Sequence, residues 1–234
     1  MRITLVNPNT NAATTQTMLA IAREAAGAGA SLDALTVGFG ASLICDEASL
    51  DIAAAAVVAL LPLLLQDRPD GVIVAAFGDP GQERLARELG CPVVGIAQAG
   101  MAEAAQDGRR FGVVTTTPDL VHRILLTAER YGLRSQCVGV RVTPGDPRVL
   151  MADSVALELA LLRVCERAVG DDGAQAIVIG GGPLAVVGRA LAHRLPVPVI
   201  EPVPAAVRLV MARVAGRTSA SGRPTERRRP PWQP

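Results

Sequence analysis

The chain has no lysine: all 23 of its basic residues are arginine. That excludes a Schiff base on a lysine amine, and with it lysine-linked pyridoxal phosphate and class I aldolase chemistry. A phosphate loop ending in Gly-Lys-Ser/Thr is excluded too. Aromatic residues make up only 2% of 234 positions, so a core has to come from Ala, Val, Leu and Ile. There are two histidines, His122 and His193, and four cysteines, Cys45, Cys91, Cys137 and Cys165, with no Cys-x-x-Cys pair. Such scattered residues predict no metal centre and reduced thiols, as in a cytoplasmic protein. The opening "MRITLVNPNT" runs straight into a strand-like segment without the leader pattern of an exported chain.

Charge is equally uninformative about large partners. The net charge is +1, and the segment from Gly216 onward carries five arginines against one glutamate. The remaining body is mildly acidic, which predicts no nucleic-acid groove. The longest uncharged apolar run, Ile52 to Leu65, is 14 residues with Pro62 inside it. It predicts a buried helix and no membrane span.

What the sequence does have is alternation. Short β-branched runs at 2–7, 31–38, 71–77, 92–96, 110–116, 136–142, 174–180 and 196–201 are strand-like. Between them lie Ala- and Leu-rich helical stretches at 14–28, 49–66, 82–88, 97–105, 118–131, 153–169, 185–194 and 204–214. This order predicts an α/β fold with parallel sheets covered by helices on both faces.

The pattern also repeats. "VIVAAFGDPG" at 72–81 finds a partner in "AIVIGGGPLA" at 176–185, and "RITLVNPNT" finds one in "RFGVVTTTP". Aligning Ala76 with Gly181 places Pro92-Val-Val close to Pro198-Val-Ile. Two related α/β units of about 105 residues follow. The expected division is 1–97 with 203–215 for one unit and 98–202 for the other. Residues 216–234 are expected to be a disordered Pro- and Arg-rich tail, and the connections near 97–105 and 202–206 are expected to be hinges.

Parallel α/β sheets bind ligands beyond the carboxyl ends of their strands. Four such ends carry polar or glycine-rich loops here. Asn7, Asn9 and Thr10 follow the first strand, and Thr115, Thr116 and Thr117 follow its repeat partner. Phe77, Gly78 and Asp79 follow one central strand, and Gly180, Gly181, Gly182, Pro183 and Leu184 follow the other. Amides, hydroxyls and backbone N–H groups of this kind suit a small carboxylate or imide-like carbonyl group. Each residue alone also fits a turn or helix cap.

These motifs in this order, "NPNT", "AAFGDPG", "GVVTTTP" and "IVIGGGPL", resemble the aspartate/glutamate/hydantoin racemase superfamily across residues 1 to 214. The nearest branch is that of hydantoin and allantoin racemases. The resemblance implies two pseudosymmetric α/β domains, each with a parallel four-stranded sheet, and an active site in the cleft between them. It implies cofactor-independent chemistry at a carbon α to a carbonyl, with a cysteine on either face of the substrate, and a homo-oligomeric assembly. A planar carbanion needs a base on one face and an acid on the other, and a two-fold repeat supplies both.

At the positions where the resemblance implies the two cysteines, this chain has Ala76 and Gly181. Other acid/base candidates are Asp79, Glu47 and His122, with Asp119, Glu201 and Cys45 behind them. None of them forms a symmetric pair. Three functions stay open at this point: an isomerase using other groups, a binding protein for a small carboxylate, hydantoin or ureide, and a one-way lyase such as a decarboxylase.

Overall fold

The computed structural model describes residues 1–221, without the side chains of Pro183, Ala185, Val186 and residues 218–221. In chain order the elements are β1 (Arg2–Asn7), α1 (Ala12–Ala26), β2 (Ser31–Thr36), α2 (Glu47–Ala59), α3 (Leu61–Asp67), β3 (Gly71–Val74), α4 (Gln82–Glu88), β4 (Val93–Gly95) and α5 (Ile96–Ala104). There follow β5 (Phe111–Thr115), α6 (Val121–Arg130), β6 (Cys137–Val142), α7 (Pro147–Ala152), α8 (Ser154–Gly170), β7 (Ala176–Ile179), α9 (Ala185–Ala192), β8 (Val199–Ile200) and α10 (Pro202–Ser221). They build two parallel four-stranded sheets of corresponding order, β2-β1-β3-β4 and β6-β5-β7-β8. The central strands β3 and β7 are apolar along their whole length, since helices cover both faces. Every residue of Gly71–Val74 and of Ala176–Ile179 is buried.

The chain crosses from one sheet to the other through α5 and returns through α10, and the two helices pack on each other. A Cβ on Gly100 of α5 would lie 3.1 Å from Val178 on the second sheet and 3.4 Å from Pro202 at the start of α10. Outside that contact, Arg208 on α10 makes a bidentate ion pair with Glu103 on α5, at 2.7 and 3.0 Å.

Three expectations change. The helix read across 49–66 is two helices, because Pro62 has no N–H to donate. The backbone instead closes a tight turn, with Leu60 N–H donating to the Val57 carbonyl before α3 begins. That stretch is also less buried than expected: Leu50, Ala53, Ala56 and Val57 face inward, while Ile52, Leu63 and Leu65 are about half exposed. By length and composition alone, Glu47–Asp67 passes for a membrane span, with a mean hydropathy of 2.3 and 28% burial. Finally, α10 continues to Ser221, past the Gly216 at which a disordered tail was expected to begin. Residues 222–234 lie outside the described residues.

Stability should follow burial and not surface charge. Ile73→Ala, at a fully buried position, should cost about 2–5 kcal/mol. Arg208→Gln, at a half-exposed ion pair, should cost at most about 1 kcal/mol. Denaturant midpoints of the two variants check this.

Candidate functional site

The loops that end β3 and β7 meet face to face. A Cβ on Gly182 would sit 2.8 Å from the Ala75 carbonyl oxygen and 2.8 Å from Met18 Sδ, so only glycine fits. Around this contact lies a narrow pocket with about 50 Å³ of free space. Asn9, Ala75, Ala76, Phe77, Thr115, Thr116, Thr117, Gly180, Gly181, Gly182 and Leu184 line it, together with Leu43, Ile44, Leu120, Ile124 and Met151. The sequence repeat anticipates the first set. The second set comes from the loop after β2, the turn and helix after β5, and the short helix after β6.

The polar floor is built by the strand-end loops. Asn7 is fully buried, and its Nδ2 donates to Asn9 Oδ1 at 3.0 Å and to Thr15 Oγ1 at 2.9 Å. Its Oδ1 accepts from the Asn9 backbone N–H at 3.1 Å. Asn7 therefore holds Asn9 in place and does not itself line the pocket. Thr10 is likewise outside the lining; its N–H donates to the Ala41 carbonyl and ties down the loop that carries Leu43 and Ile44. In the second half, Thr115 Oγ1 donates to the Gly180 carbonyl at 3.0 Å and lies 2.9 Å from Thr117 Oγ1. The Asn9 Nδ2 amide and the Thr116 hydroxyl have no hydrogen-bond partner among the described residues, although both residues are 4% exposed. They are the free hydrogen-bonding side-chain groups of the floor.

None of the lining residues is ionisable. The polar candidates read from the sequence lie elsewhere. His122 is exposed on α6, and Asp119 is exposed in the turn before it. Glu47 starts α2 and faces Arg123 at 4.0 Å, with its side chain 45% exposed. Glu201 sits against Gly188, where a Cβ would come within 2.9 Å of it, and partial burial raises its carboxyl above the usual range. The side chain of Pro183 lies outside those described; its backbone is in the turn Gly182–Leu184. The four thiols are all free and all pushed upward, chiefly by burial. Cys165 reaches about 12, the reverse of what a reactive thiolate needs. Among the described residues, no group of three or more His, Cys, Asp and Glu comes together to hold a metal ion.

Asp79 turns away from the pocket. Its side chain is fully buried, with Oδ1 accepting from the Ala97 N–H and Oδ2 from the Gln98 N–H, each at 2.8 Å. These are unpaired amides at the start of α5. Oδ2 also accepts from the Tyr131 hydroxyl at 2.8 Å. The carboxylate packs so tightly that a Cβ on Gly95 would lie 2.0 Å from its carbon. Burial pushes its carboxyl up to about 6, against the pull of the Ala97 amide, the Tyr131 hydroxyl, the Gln98 amide and the Arg130 charge. The same burial, with the adjacent carboxylate, pushes the Tyr131 phenol upward.

A sequence-family model described as Asp/Glu/Hydantoin racemase matches residues 3–210. The chain is 28% identical over 235 residues to a hydantoin racemase of Paenarthrobacter aurescens, covering 97% of this chain and 99% of that one. An allantoin racemase structure from Klebsiella pneumoniae superimposes with a TM-score of 0.88 and 33% identity, over 93% of this chain and 89% of that one. An allantoin racemase from Pseudomonas fluorescens gives 0.87 and 34%, over 93% and 92%.

Two outcomes follow from the geometry. Gly182→Ala should destabilise the fold by about 1–3 kcal/mol through overpacking, read as a shift in denaturant midpoint. Asp79→Asn should cost about 2 kcal/mol at about pH 5, since an amide NH2 cannot accept a hydrogen bond where the hydroxyl oxygen of the protonated carboxyl can. The native carboxyl titrates at about 6, above its reference value of 3.8, so the folded state holds the extra proton between those values. The stability this supplies is full below the lower value and is lost as pH rises through the upper one. The gap between wild type and Asp79→Asn should therefore narrow as the unfolding assay is moved from about pH 5 to about pH 7.5.

Proposed function

Because this chain belongs to the Asp/Glu/hydantoin racemase family, we propose that it binds a small, uncharged hydantoin- or ureide-type molecule in the pocket between its two glycine loops, without racemising it. The observation that carries this reading is the absence of any ionisable group among the described lining residues. Inverting a carbon α to a carbonyl takes a base on one face and an acid on the other. The motifs imply those groups at the positions of Ala76 and Gly181, residues that carry no proton to give or take. A decarboxylase needs a proton donor on one face only, and the pocket does not supply that either.

The same neutrality bears on the ligand. A free amino acid would bring an ammonium group into a pocket with no counter-charge, and an unpaired charge is costly to desolvate. A hydantoin ring carries carbonyls and N–H groups but no fixed charge. The Asn9 amide can donate to a carbonyl, and the Thr116 hydroxyl can donate or accept. The apolar side chains from the edge-strand loops, Leu43, Ile44 and Met151, suit a hydrocarbon substituent.

Incubation in heavy water with single enantiomers of 5-substituted hydantoins and allantoin, followed by NMR and optical rotation, tests this directly. Deuteration at the α-carbon should stay at the buffer rate, while at least one of these compounds should raise the melting temperature. The double variant Ala76→Cys/Gly181→Cys should gain exchange on the order of 10²-fold or more over wild type. In that variant Leu184, whose Cδ1 would be 3.1 Å from the new Cβ, has to shift slightly. Exchange catalysed by the unaltered chain would overturn the proposal.

A further inference from the structure

We infer that Tyr131 is a positioning residue for the ligand pocket, clamping its two walls together through Asp79. The inference rests on the reading of that pocket as the ligand site. One wall is Ala76 and Phe77, in the loop after β3. The opposite wall includes Leu120 and Ile124, in the turn and helix after β5. Two turns beyond Ile124, at the end of α6, Tyr131 Oη donates to Asp79 Oδ2 at 2.8 Å. Asp79 is only two residues past Phe77. The two walls therefore meet at one hydrogen bond, just behind the pocket.

The Asp79 end of the clamp is immobile. Both carboxylate oxygens are committed to the second and third amides of α5, and Gly95 closes the space around them. The loop itself is held in an unusual shape: Gly78 has φ +111° and Asp79, a non-glycine residue, has φ +54°. An L-residue in that region persists only where its surroundings determine it. Arg130 adds the neighbouring contacts, its Nη2 lying 3.0 Å from Tyr131 Oη and 3.4 Å from the Gly78 carbonyl. Its guanidinium also lies 4.8 Å from the Tyr131 ring centre. The ion pairs of Arg123 with Asp51 at 2.7 Å and with Glu47 at 4.0 Å also tie α6 to the first half, but they lie at the surface, and such pairs hold geometry weakly. The phenol–carboxylate bond, with its acceptor fully buried, is better placed to set the separation of the walls.

The test measures affinity apart from stability, using L-5-isobutylhydantoin as probe and titration calorimetry as readout. Tyr131→Phe should weaken binding about tenfold, the loss of one hydrogen bond to a charged group. Ile73→Val, a core variant remote from the clamp, should lower the denaturant midpoint and leave the dissociation constant unchanged. An unchanged dissociation constant in Tyr131→Phe alongside a lowered midpoint would overturn the inference and make Tyr131 a purely structural residue. Should Tyr131→Phe fail to fold, the intact chain still decides the matter. Tyr131 is the sole tyrosine, so growth on 3-fluorotyrosine gives one ¹⁹F resonance. That resonance should move on titration with the probe, and a stationary signal at saturating probe would overturn the inference. If the wild-type chain binds neither this probe nor any other hydantoin or ureide, the ligand reading fails and the clamp reading fails with it.

Discussion

A charge taken out of water has to find donors, and the Asp79 carboxylate finds them on separate parts of the chain. It accepts from the second and third amides of the helix that crosses between the sheets and from a phenol that arrives from the second half. In doing so it fixes where the loop after β3 turns, where α5 starts, and how close α6 approaches. Gly95 has to be glycine because this carboxylate occupies the space a side chain would need. A glycine loop that reads as a reactive motif thus owes its one acidic residue to architecture.

The division of labour inside the pocket follows from sheet topology. The loops after β1, β5 and β7 supply the amides, hydroxyls and backbone groups of the floor, and the segments after β3, β5 and β7 also bring the apolar Phe77, Leu120, Ile124 and Leu184. Edge strands β2 and β6 are followed by longer connections, which fold back over the opening with Leu43, Ile44 and Met151.

Much of this was legible from the residues alone, for identifiable reasons. Apolar runs too continuous to be one-sided marked buried parallel strands, and all eight fall where strands lie, though every strand after β1 is shorter than its run. The Asn9, Thr115–Thr117 and Gly180–Gly182 loops converge because they repeat at equal spacing. What stayed hidden depends on direction, which spacing does not encode. Asp79 sits beside Phe77 in sequence and points the other way. Leu43, Ile44 and Met151 lie in segments with no periodicity and look like ordinary connections. Pro62 inside an Ala- and Leu-rich run signalled a break, but the run was read through it. The helix of Pro147–Ala152 is too short to leave a pattern at all.

The contact between the two glycine loops is made of main chain. The Ala75 carbonyl packs against the α-carbon of Gly182, and neither the residue at 76 nor the one at 181 takes part in it. Side chains at those two positions can change without moving the loops apart. The shape of the cleft and the side chains at those two positions are therefore separately heritable.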